Sequence, residues 1–148
     1  MRIFVLNGPN LDMLGKREPE KYGSQGLKDL EDLIRDTYPS HIFTFFQNNH
    51  EGNIIEQLHE LMNQPEAEGL IANFAGFTHS SVAIRDALHM LSIPKIEVHI
   101  TNIHAREPFR HQSITAGACN GVIAGFGFNS YLLAVRALEL MRRPKSDQ

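Results

Sequence analysis

Short apolar runs alternate with amphipathic segments along most of the chain. Five of the runs have the length of buried strands and are rich in branched or aromatic residues; they are residues 2–7, 42–46, 69–73, 95–100 and 119–124. Apolar residues recur at helical spacing in residues 25–37, 52–63, 80–91 and 130–142. Strands that alternate with helices are typical of a parallel sheet with helices on both faces. The pattern therefore predicts an α/β fold with a five-stranded parallel sheet.

The chain has 148 residues, a length that suits one domain with a sizeable core. It shows no internal repeat and no interdomain linker, so residues 1–148 are expected to form a single domain. Residues 8–23 are a polar stretch with glycine and proline, and a loop of this length is often a lid over a binding site. Residues 143–148 are expected to be a loose tail.

Composition and charge narrow the class of function. The formal net charge of −3 gives no overall attraction to nucleic acid or to a membrane surface. Cys119 is the one cysteine, so no internal disulfide is possible, and no Cys/His spacing matches a structural zinc site. The first apolar run is too short for a signal peptide or a membrane span. We therefore expect a cytoplasmic protein without a metal, a nucleic-acid partner or a membrane partner.

Polar side chains follow four of the predicted strands where each strand ends. They lie in residues 7–10, 47–51, 73–79 and 97–110. The carboxyl ends of parallel strands meet at one edge of a sheet, and α/β folds bind their ligands there. The sequence therefore predicts one pocket that is shared by these four segments.

Residues 97–111 concentrate charged and imidazole side chains directly after the fourth strand. Glu97 and His99 are two residues apart on a strand, so they point to the same face. A carboxylate can orient an imidazole for general acid–base catalysis, although an ion pair at a strand end is an alternative. Arg106 and Arg110 are four residues apart and could share one face of a turn. They could bind a carboxylate or activate a tyrosine, or they could form a solvated helical face.

Three further polar residues have two readings each. His79 is predicted to open the helix after the third strand, with Thr78 or Ser80 as its N-cap, and a helix N-terminus also attracts anions. Asp86 lies seven residues later on the same predicted helical face, where it could form a salt bridge or contact a ligand. Tyr22 in the long loop is either a hydrophobic latch or, if nearby cations favour its ionised form, a base.

Several separated segments, in the same order along the chain, resemble the type II 3-dehydroquinate dehydratases. They are LNGPNL at 6–11, LGKREP at 14–19, NHEG at 49–52, residues 73–87, EVH at 97–99, NIHARE at 102–107, FRH at 109–111 and GFGFNSY at 125–131. The resemblance covers residues 3 to about 138. It implies a flavodoxin-like fold and the dehydration of 3-dehydroquinate to 3-dehydroshikimate in the shikimate or quinate pathway. It also implies that no metal or organic cofactor takes part, and that trimers assemble into a homododecamer.

The resemblance implies catalytic roles for five residues. Tyr22, as tyrosinate, would remove the proton from the carbon next to the ketone and leave an enolate. Arg17 would favour the ionised tyrosine and stabilise the developing charge. Asn10 would hold a water molecule that donates a hydrogen bond to the enolate oxygen. His99, oriented by Glu97, would protonate the departing hydroxyl.

The resemblance also implies which residues bind the substrate. The binding groups would be the side chains of Asn73, His79, Thr101 and Arg110 and the backbone amides of Ile100 and Thr101. Arg106 would add to the positive field, and Asp86 would reach the site of a neighbouring subunit. His104, Glu107 and His111 match the family without an assigned role.

The chain departs from the family pattern at a few positions. Thr101 replaces the usual serine, and Phe74-Ala75-Gly76 replaces the common Pro-Gly-Ala. Neither departure removes a catalytic group.

Two other functions stay open on the residues alone. A dehydratase that acts through a Schiff base would need a lysine in an apolar site, and we expect none of the lysines inside an apolar strand interior. A flavodoxin-like module that only binds a small anion would bind without turnover. That function would leave the combination of Tyr22, Arg17, His99 and Glu97 unexplained.

Overall fold

The computed structural model describes residues 1–16, 18–22 and 24–142, apart from the side chains of Lys21 and Tyr22. The strands are β1 Arg2–Asn7, β2 Ile42–Gln47, β3 Gly69–Asn73, β4 Lys95–His99 and β5 Gly121–Ala124. The α-helices are α1 Pro19–Tyr22, α2 Leu27–Thr37, α3 Glu51–Met62, α4 Val82–His89 and α5 Asn129–Arg142. The five predicted strands and four predicted helices are confirmed, with small shifts at their ends. The predicted tail at 143–148 lies outside the described residues.

All five strands belong to one parallel sheet with the order β2-β1-β3-β4-β5. Helices α2 and α5 cover one face and helices α3 and α4 cover the other. The side chains that they bury against the sheet include Leu30, Ile34, Tyr131 and Val135 on the first face and Ile54, Leu58, Ile84 and Leu88 on the second. The predicted α/β class is therefore confirmed, and the strand order is that of flavodoxin-like proteins.

The strand order also locates a crevice. The chain leaves β1 towards β2 on one side and returns to β3 on the other, so the loops after β1 and β3 diverge. Gly8 lets these loops approach at their base, where its N–H donates to the carbonyl oxygen of Asn73 at 2.7 Å. A Cβ at position 8 would lie 2.6 Å from the carbonyl oxygen of Phe74. Any side chain there would push the two loops apart.

The structure corrects the prediction for residues 8–23. This stretch is not a continuous loop, because it contains the 3-10 turn Leu11–Met13 and the one-turn helix α1. The backbone of Tyr22 lies in α1, whereas Arg17 and Gly23 lie outside the described residues. No helix in the described residues is both long enough and apolar enough to cross a membrane.

The prediction that His79 opens a helix is also wrong. His79 closes the 3-10 turn Ala75–His79, and α4 begins only at Val82. The N-cap is Ser81 rather than Thr78 or Ser80, because its Oγ accepts the N–H of Ile84 at 2.9 Å. His79 and Asp86 therefore do not share a helical face.

Candidate active site

A cavity of about 120 Å³ lies at the carboxyl ends of β1, β3 and β4. This is the crevice that the strand order creates. The loop after β1 contributes Pro9, Asn10, Leu11, Met13 and Leu14, the segment after β3 contributes Asn73, Ala75, Gly76 and His79, and the segment after β4 contributes His99, Ile100, Thr101, Ile103, Arg106 and Arg110. Three segments that are far apart in the sequence therefore form one pocket.

Most of the residues predicted for the site line this pocket. They are Asn10, Asn73, His79, His99, Ile100, Thr101, Arg106 and Arg110. Glu97 lies behind His99 and has no exposed surface. Asp86 is exposed on α4 and is not among the described residues that line the pocket. Arg17 and the side chain of Tyr22 lie outside the described part of the chain.

The predicted contribution of residues 47–51 to the pocket is wrong. In the strand order, β2 lies beyond β1, one strand further from β3 and β4. The polar residues at the end of β2 and just after it therefore contact the loop after β1 on the side that faces away from the pocket. Asn49 Oδ1 accepts the N–H of Asn10 at 2.9 Å, and Gln47 Nε2 donates to the carbonyl oxygen of Gly8 at 3.2 Å.

His99 and Glu97 form a buried hydrogen-bonded pair on β4, so their predicted position on one face is confirmed. Nε2 of His99 lies 3.0 Å from Oε2 of Glu97, and His99 is only 5% exposed. An ionised carboxylate can only accept, so Nε2 carries the proton that is donated to Glu97. This bond fixes the orientation of the ring, and Nδ1 is the nitrogen that remains to exchange a proton with a ligand.

Two hydroxyl groups bind the Glu97 carboxylate in addition to His99. Ser113 Oγ donates to Oε2 at 2.9 Å, and Thr115 Oγ1 makes a short hydrogen bond to Oε1. Burial by itself raises the pKa of Glu97, but the hydrogen bonds from His99, Thr115 and Ser113 together outweigh burial and leave the pKa below its ordinary value. Glu97 is therefore ionised at neutral pH although it is inaccessible to solvent.

His79 forms the neighbouring wall of the pocket. Its ring stacks on that of His99, with the ring centroids 6.4 Å apart and the planes at 21°. Its Nδ1 lies 2.8 Å from the carbonyl oxygen of Gln112, which can only accept, so Nδ1 donates this bond. The ring is thereby held in place by the backbone, and Nε2 is its other polar atom.

The two arginines of the pocket do not share one helical turn. Arg106 follows the 3-10 turn Ile103–Ala105, whereas Arg110 closes the next turn, Pro108–Arg110. Glu107 Oε2 lies between them, 2.7 Å from Nε of Arg110 and 3.9 Å from Nε of Arg106. His111 Nε2 lies 2.9 Å from the carbonyl oxygen of Arg106 and donates to it. Glu107 and His111, which had no role in the sequence analysis, thus help to hold both arginines.

A buried polar chain fixes the amide of Asn73. Its Nδ2 donates to the hydroxyl of Tyr131 at 3.0 Å, and its Oδ1 accepts the N–H of Ala75 at 3.0 Å. The Tyr131 hydroxyl donates in turn to Asn7 Oδ1. Both ends of the Asn73 amide are thereby held in place, and its second N–H can donate to an acceptor on a ligand. The contact of Asn7 and Tyr131 with the Asn73 network was not predicted, because both residues are far from Asn73 in the sequence.

Among the described residues no lysine lies in the interior of a strand, as expected, but Lys95 at the start of β4 is buried. This residue is buried at the first position of β4, and its Nζ donates to the carbonyl oxygen of Leu91 at 2.6 Å. The pocket, however, lies at the carboxyl end of the strand. At ~3.3 Å per residue, Lys95 is about 13 Å along β4 from His99. It therefore lies at the opposite end of β4 from the pocket, too far away for a Schiff base with a ligand there.

The chemistry of the pocket suits a small anion and a proton transfer. Arg106 and Arg110 supply positive charge, Asn73 supplies an N–H donor, and His99 is an imidazole with an ionised partner. Among residues 1–16, 18–22 and 24–142, no three His, Cys, Asp or Glu side chains are grouped so that they could hold a metal ion.

Comparisons with known proteins point to one family. The sequence model of the family described as "Dehydroquinase class II" matches residues 1–139. A 3-dehydroquinate dehydratase of Exiguobacterium sp. is 51% identical over 139 residues, which cover 93% of this chain and 94% of that protein. The crystal structure of the type II dehydroquinase from Butyrivibrio crossotus superimposes with a TM-score of 0.91 at 43% identity, covering 94% of this chain and 97% of that one. The type II dehydroquinase from Propionibacterium acnes gives a TM-score of 0.89 at 38% identity, covering 94% and 96%.

The lowered pKa of Glu97 predicts a pH-dependent contribution to stability. Since this pKa lies below the ordinary value of 4.5, the ionised carboxylate stabilises the fold above about pH 4.5, and this stabilisation is lost as the pH falls through the folded-state pKa. Glu97→Gln should therefore lower the free energy of unfolding by about 1–3 kcal/mol near neutral pH. Urea unfolding should show that the difference from wild type shrinks below about pH 4.5.

Glu56→Gln is the control, because Glu56 is an exposed residue of α3 and its substitution should leave the pH dependence unchanged. A Glu97→Gln difference that stays constant from neutral pH to about pH 3 would contradict the assignment of an ionised, stabilising carboxylate.

Proposed function

The chain belongs to the class II dehydroquinase family, and we propose that it dehydrates 3-dehydroquinate to 3-dehydroshikimate in the shikimate or quinate pathway. The observation that carries the proposal is the buried His99–Glu97 pair, which opens onto a pocket lined by two arginines. This pair is the acid that loss of a hydroxyl needs, and the arginines suit a substrate with a carboxylate. We place the protein in the cytoplasm in this proposal.

His99 is the general acid in this mechanism. Its Nε2–H is engaged by Glu97, so the proton for the departing hydroxyl comes from Nδ1. The ionised Glu97 stabilises the imidazolium before the transfer and keeps the ring oriented during it. Because the pair is buried, water does not weaken this interaction.

Tyr22 is the general base. The chain has three tyrosines, and the other two are held in the neutral form. Burial raises the pKa of Tyr131, and burial together with the carboxylate of Glu139 raises the pKa of Tyr38. Tyr22 then removes the proton next to the ketone, and Arg17 and Arg106 favour its ionised form. The roles of Tyr22 and Arg17 rest on the family resemblance.

The enolate that results needs stabilisation at its oxygen. Asn10 lines the mouth of the pocket with a left-handed backbone (φ 69°), and its N–H is held by Asn49. In this proposal, the Asn10 side chain holds a water molecule that donates a hydrogen bond to the enolate oxygen.

The substrate carboxylate and ring hydroxyls are bound by the remaining polar groups of the pocket. Asn73 offers an N–H whose orientation is fixed by Tyr131, and Arg110 offers a guanidinium held by Glu107. The other binding groups are the imidazole of His79, the hydroxyl of Thr101 and the backbone amides of Ile100 and Thr101. Each of these residues lines the cavity, which is what supports its place in the set.

We also propose a homododecamer in which Asp86 completes the site of a neighbouring subunit. Within one chain, Asp86 is exposed on α4 and is not part of the described pocket wall. A role for this carboxylate in substrate binding therefore requires a second copy of the chain.

The proposed reaction predicts that the protein converts 3-dehydroquinate into a product with the ultraviolet absorbance of a conjugated enone. Tyr22→Phe should abolish this conversion while an unreactive substrate analogue still binds, because only the base is lost. The measurement is the rise in absorbance together with calorimetric titration of the analogue.

Tyr38→Phe is the matched control, because it also removes a hydroxyl, one that donates to the carbonyl oxygen of Leu132 away from the pocket. It should turn over at nearly the wild-type rate. Absence of the enone with folded wild-type protein would refute the reaction, and near-normal turnover by Tyr22→Phe would remove Tyr22 from the base role. Trapping of substrate on the protein by borohydride would indicate a Schiff-base dehydratase instead.

The proposed assembly predicts complementation between two inactive variants. Asp86→Ala and Tyr22→Phe should each lose most activity as pure assemblies. Mixed assemblies, refolded together, should recover part of the activity, because some pockets then combine an intact Tyr22 with an intact Asp86 from the neighbour. Sedimentation should give a particle of about twelve chains of 16.7 kDa each.

Two results would contradict the assembly proposal. One is a wild-type enzyme that is active as a monomer of 16.7 kDa. The other is an Asp86→Ala assembly with undiminished activity and unchanged KM.

A further inference from the structure

The Glu97 carboxylate is bound by more donors than its partnership with His99 requires. Oε2 accepts Nε2–H of His99 at 3.0 Å and the hydroxyl of Ser113 at 2.9 Å. Oε1 accepts the hydroxyl of Thr115 and lies 3.2 Å from Ser113 Oγ. Ser113 Oγ also accepts the N–H of Ala116 at 3.0 Å and lies 3.3 Å from Thr115 Oγ1, but its nearest acceptor is the Glu97 carboxylate, which can only accept.

The segment that carries these two hydroxyls is attached to the protein at several points. Between Ser113 and Thr115, the N–H of Ile114 donates to the carbonyl oxygen of Thr78 at 2.8 Å, and its carbonyl oxygen accepts Nη1 of Arg85 at 2.7 Å. Thr115 itself is fully buried. The hydroxyls are therefore held in place rather than drawn in from solvent.

We infer that Thr115, assisted by Ser113, is a positioning residue of the acid: its hydroxyl holds the Glu97 carboxylate ionised and directed at His99. Thr115 acts through Glu97 and does not line the pocket. The inference deepens the proposed function, because it rests on His99 as the proton donor.

The effect of losing the Thr115 hydroxyl has a definite sign. Its hydrogen bond stabilises the carboxylate anion, so its removal favours any state of the Glu97–His99 pair that keeps one more proton. The pair then releases its transferable proton less readily, and this slows the protonation of the leaving hydroxyl.

Other titratable groups near the pair are unchanged in such a variant. His79 stacks on His99, Arg106 and Arg110 line the same pocket, and burial followed by the charge of Glu97 raises the pKa of Cys119 to about 12. Their effects on the titration of the Glu97–His99 pair are the same in all variants at position 115, so they cancel when these variants are compared with one another.

The test is Thr115→Val, which keeps the shape of the side chain and removes the hydroxyl. A lost hydrogen bond to a charged group should lower kcat by roughly tenfold and leave KM within about twofold. In the pH dependence of kcat, the midpoint that belongs to the Glu97–His99 pair should move to higher pH by about one unit. Thr115→Ser should restore both values, because it returns the hydroxyl.

Two controls separate this role from a merely structural one. Thr37→Val removes a hydroxyl that donates to the carbonyl oxygen of Leu33 in α2, and it should leave the kcat profile unchanged. In a Glu97→Gln background, Thr115→Val should cause almost no further loss of kcat, because the carboxylate on which it acts is gone.

The carboxyl titration of Glu97, followed by NMR on the ligand-free protein, tests the inference even if the proposed reaction fails, because the Thr115 hydrogen bond is one of the contacts that lower its pKa. In folded Thr115→Val its midpoint should move to higher pH, and in Thr115→Ser it should return. An unchanged midpoint, an unchanged kcat profile, or a full further loss in the Glu97→Gln background would each overturn the inference. Failure of the wild type to form the enone would instead refute the proposed function.

Discussion

The structure places an ionised carboxylate, Glu97, where no solvent reaches it. Burial of an unpaired charge is so unfavourable that such a group normally takes up a proton instead. Here the charge persists because an imidazole and two hydroxyls donate to it. This balance of desolvation against hydrogen bonding determines the tautomer of His99. It also explains why the segment around Ser113 must pack against the end of β4 rather than follow a loop into solvent.

A second constraint comes from the order of the strands. The strands that follow β1 are added first on one side of it, as β2, and then on the other side, as β3. The loops after β1 and β3 therefore diverge and leave a crevice between them. Gly8 narrows the base of this crevice, and the buried Asn7–Tyr131–Asn73 chain connects its floor to helix α5. The same buried chain leaves one amide proton of Asn73 for a ligand. The fold therefore decides which polar atoms face the pocket, as well as where the pocket is.

Much of this could be predicted from the sequence, for identifiable reasons. The strand β3 is buried on both faces, so its residues form a nearly continuous apolar run. Glu97 and His99 are close in sequence, and the alternation of a strand is enough to bring them together. The family resemblance supplied residues such as Asn10 and Arg110, which periodicity cannot connect, and the structure places both in the pocket wall.

The remaining features depend on information that a single sequence does not carry. The predicted position of His79 is wrong because a 3-10 turn precedes α4 and Ser81 is the N-cap of that helix. The exclusion of residues 47–51 from the pocket follows from strand order, which alternating elements do not reveal. Thr115 and Tyr131 find their partners only through tertiary packing, so no spacing rule could have indicated them.

In the proposed mechanism, proton removal and hydroxyl loss depend on two different groups, Tyr22 and the His99–Glu97 pair. Incubation of 3-dehydroquinate in D₂O with His99→Ala, followed by mass spectrometry of the recovered substrate, tests it most directly. Deuterium should enter next to the ketone faster than in the uncatalysed reaction while dehydration falls by about 100-fold or more, because the enolate still forms and is reprotonated from solvent. Loss of exchange together with dehydration in His99→Ala would contradict this mechanism.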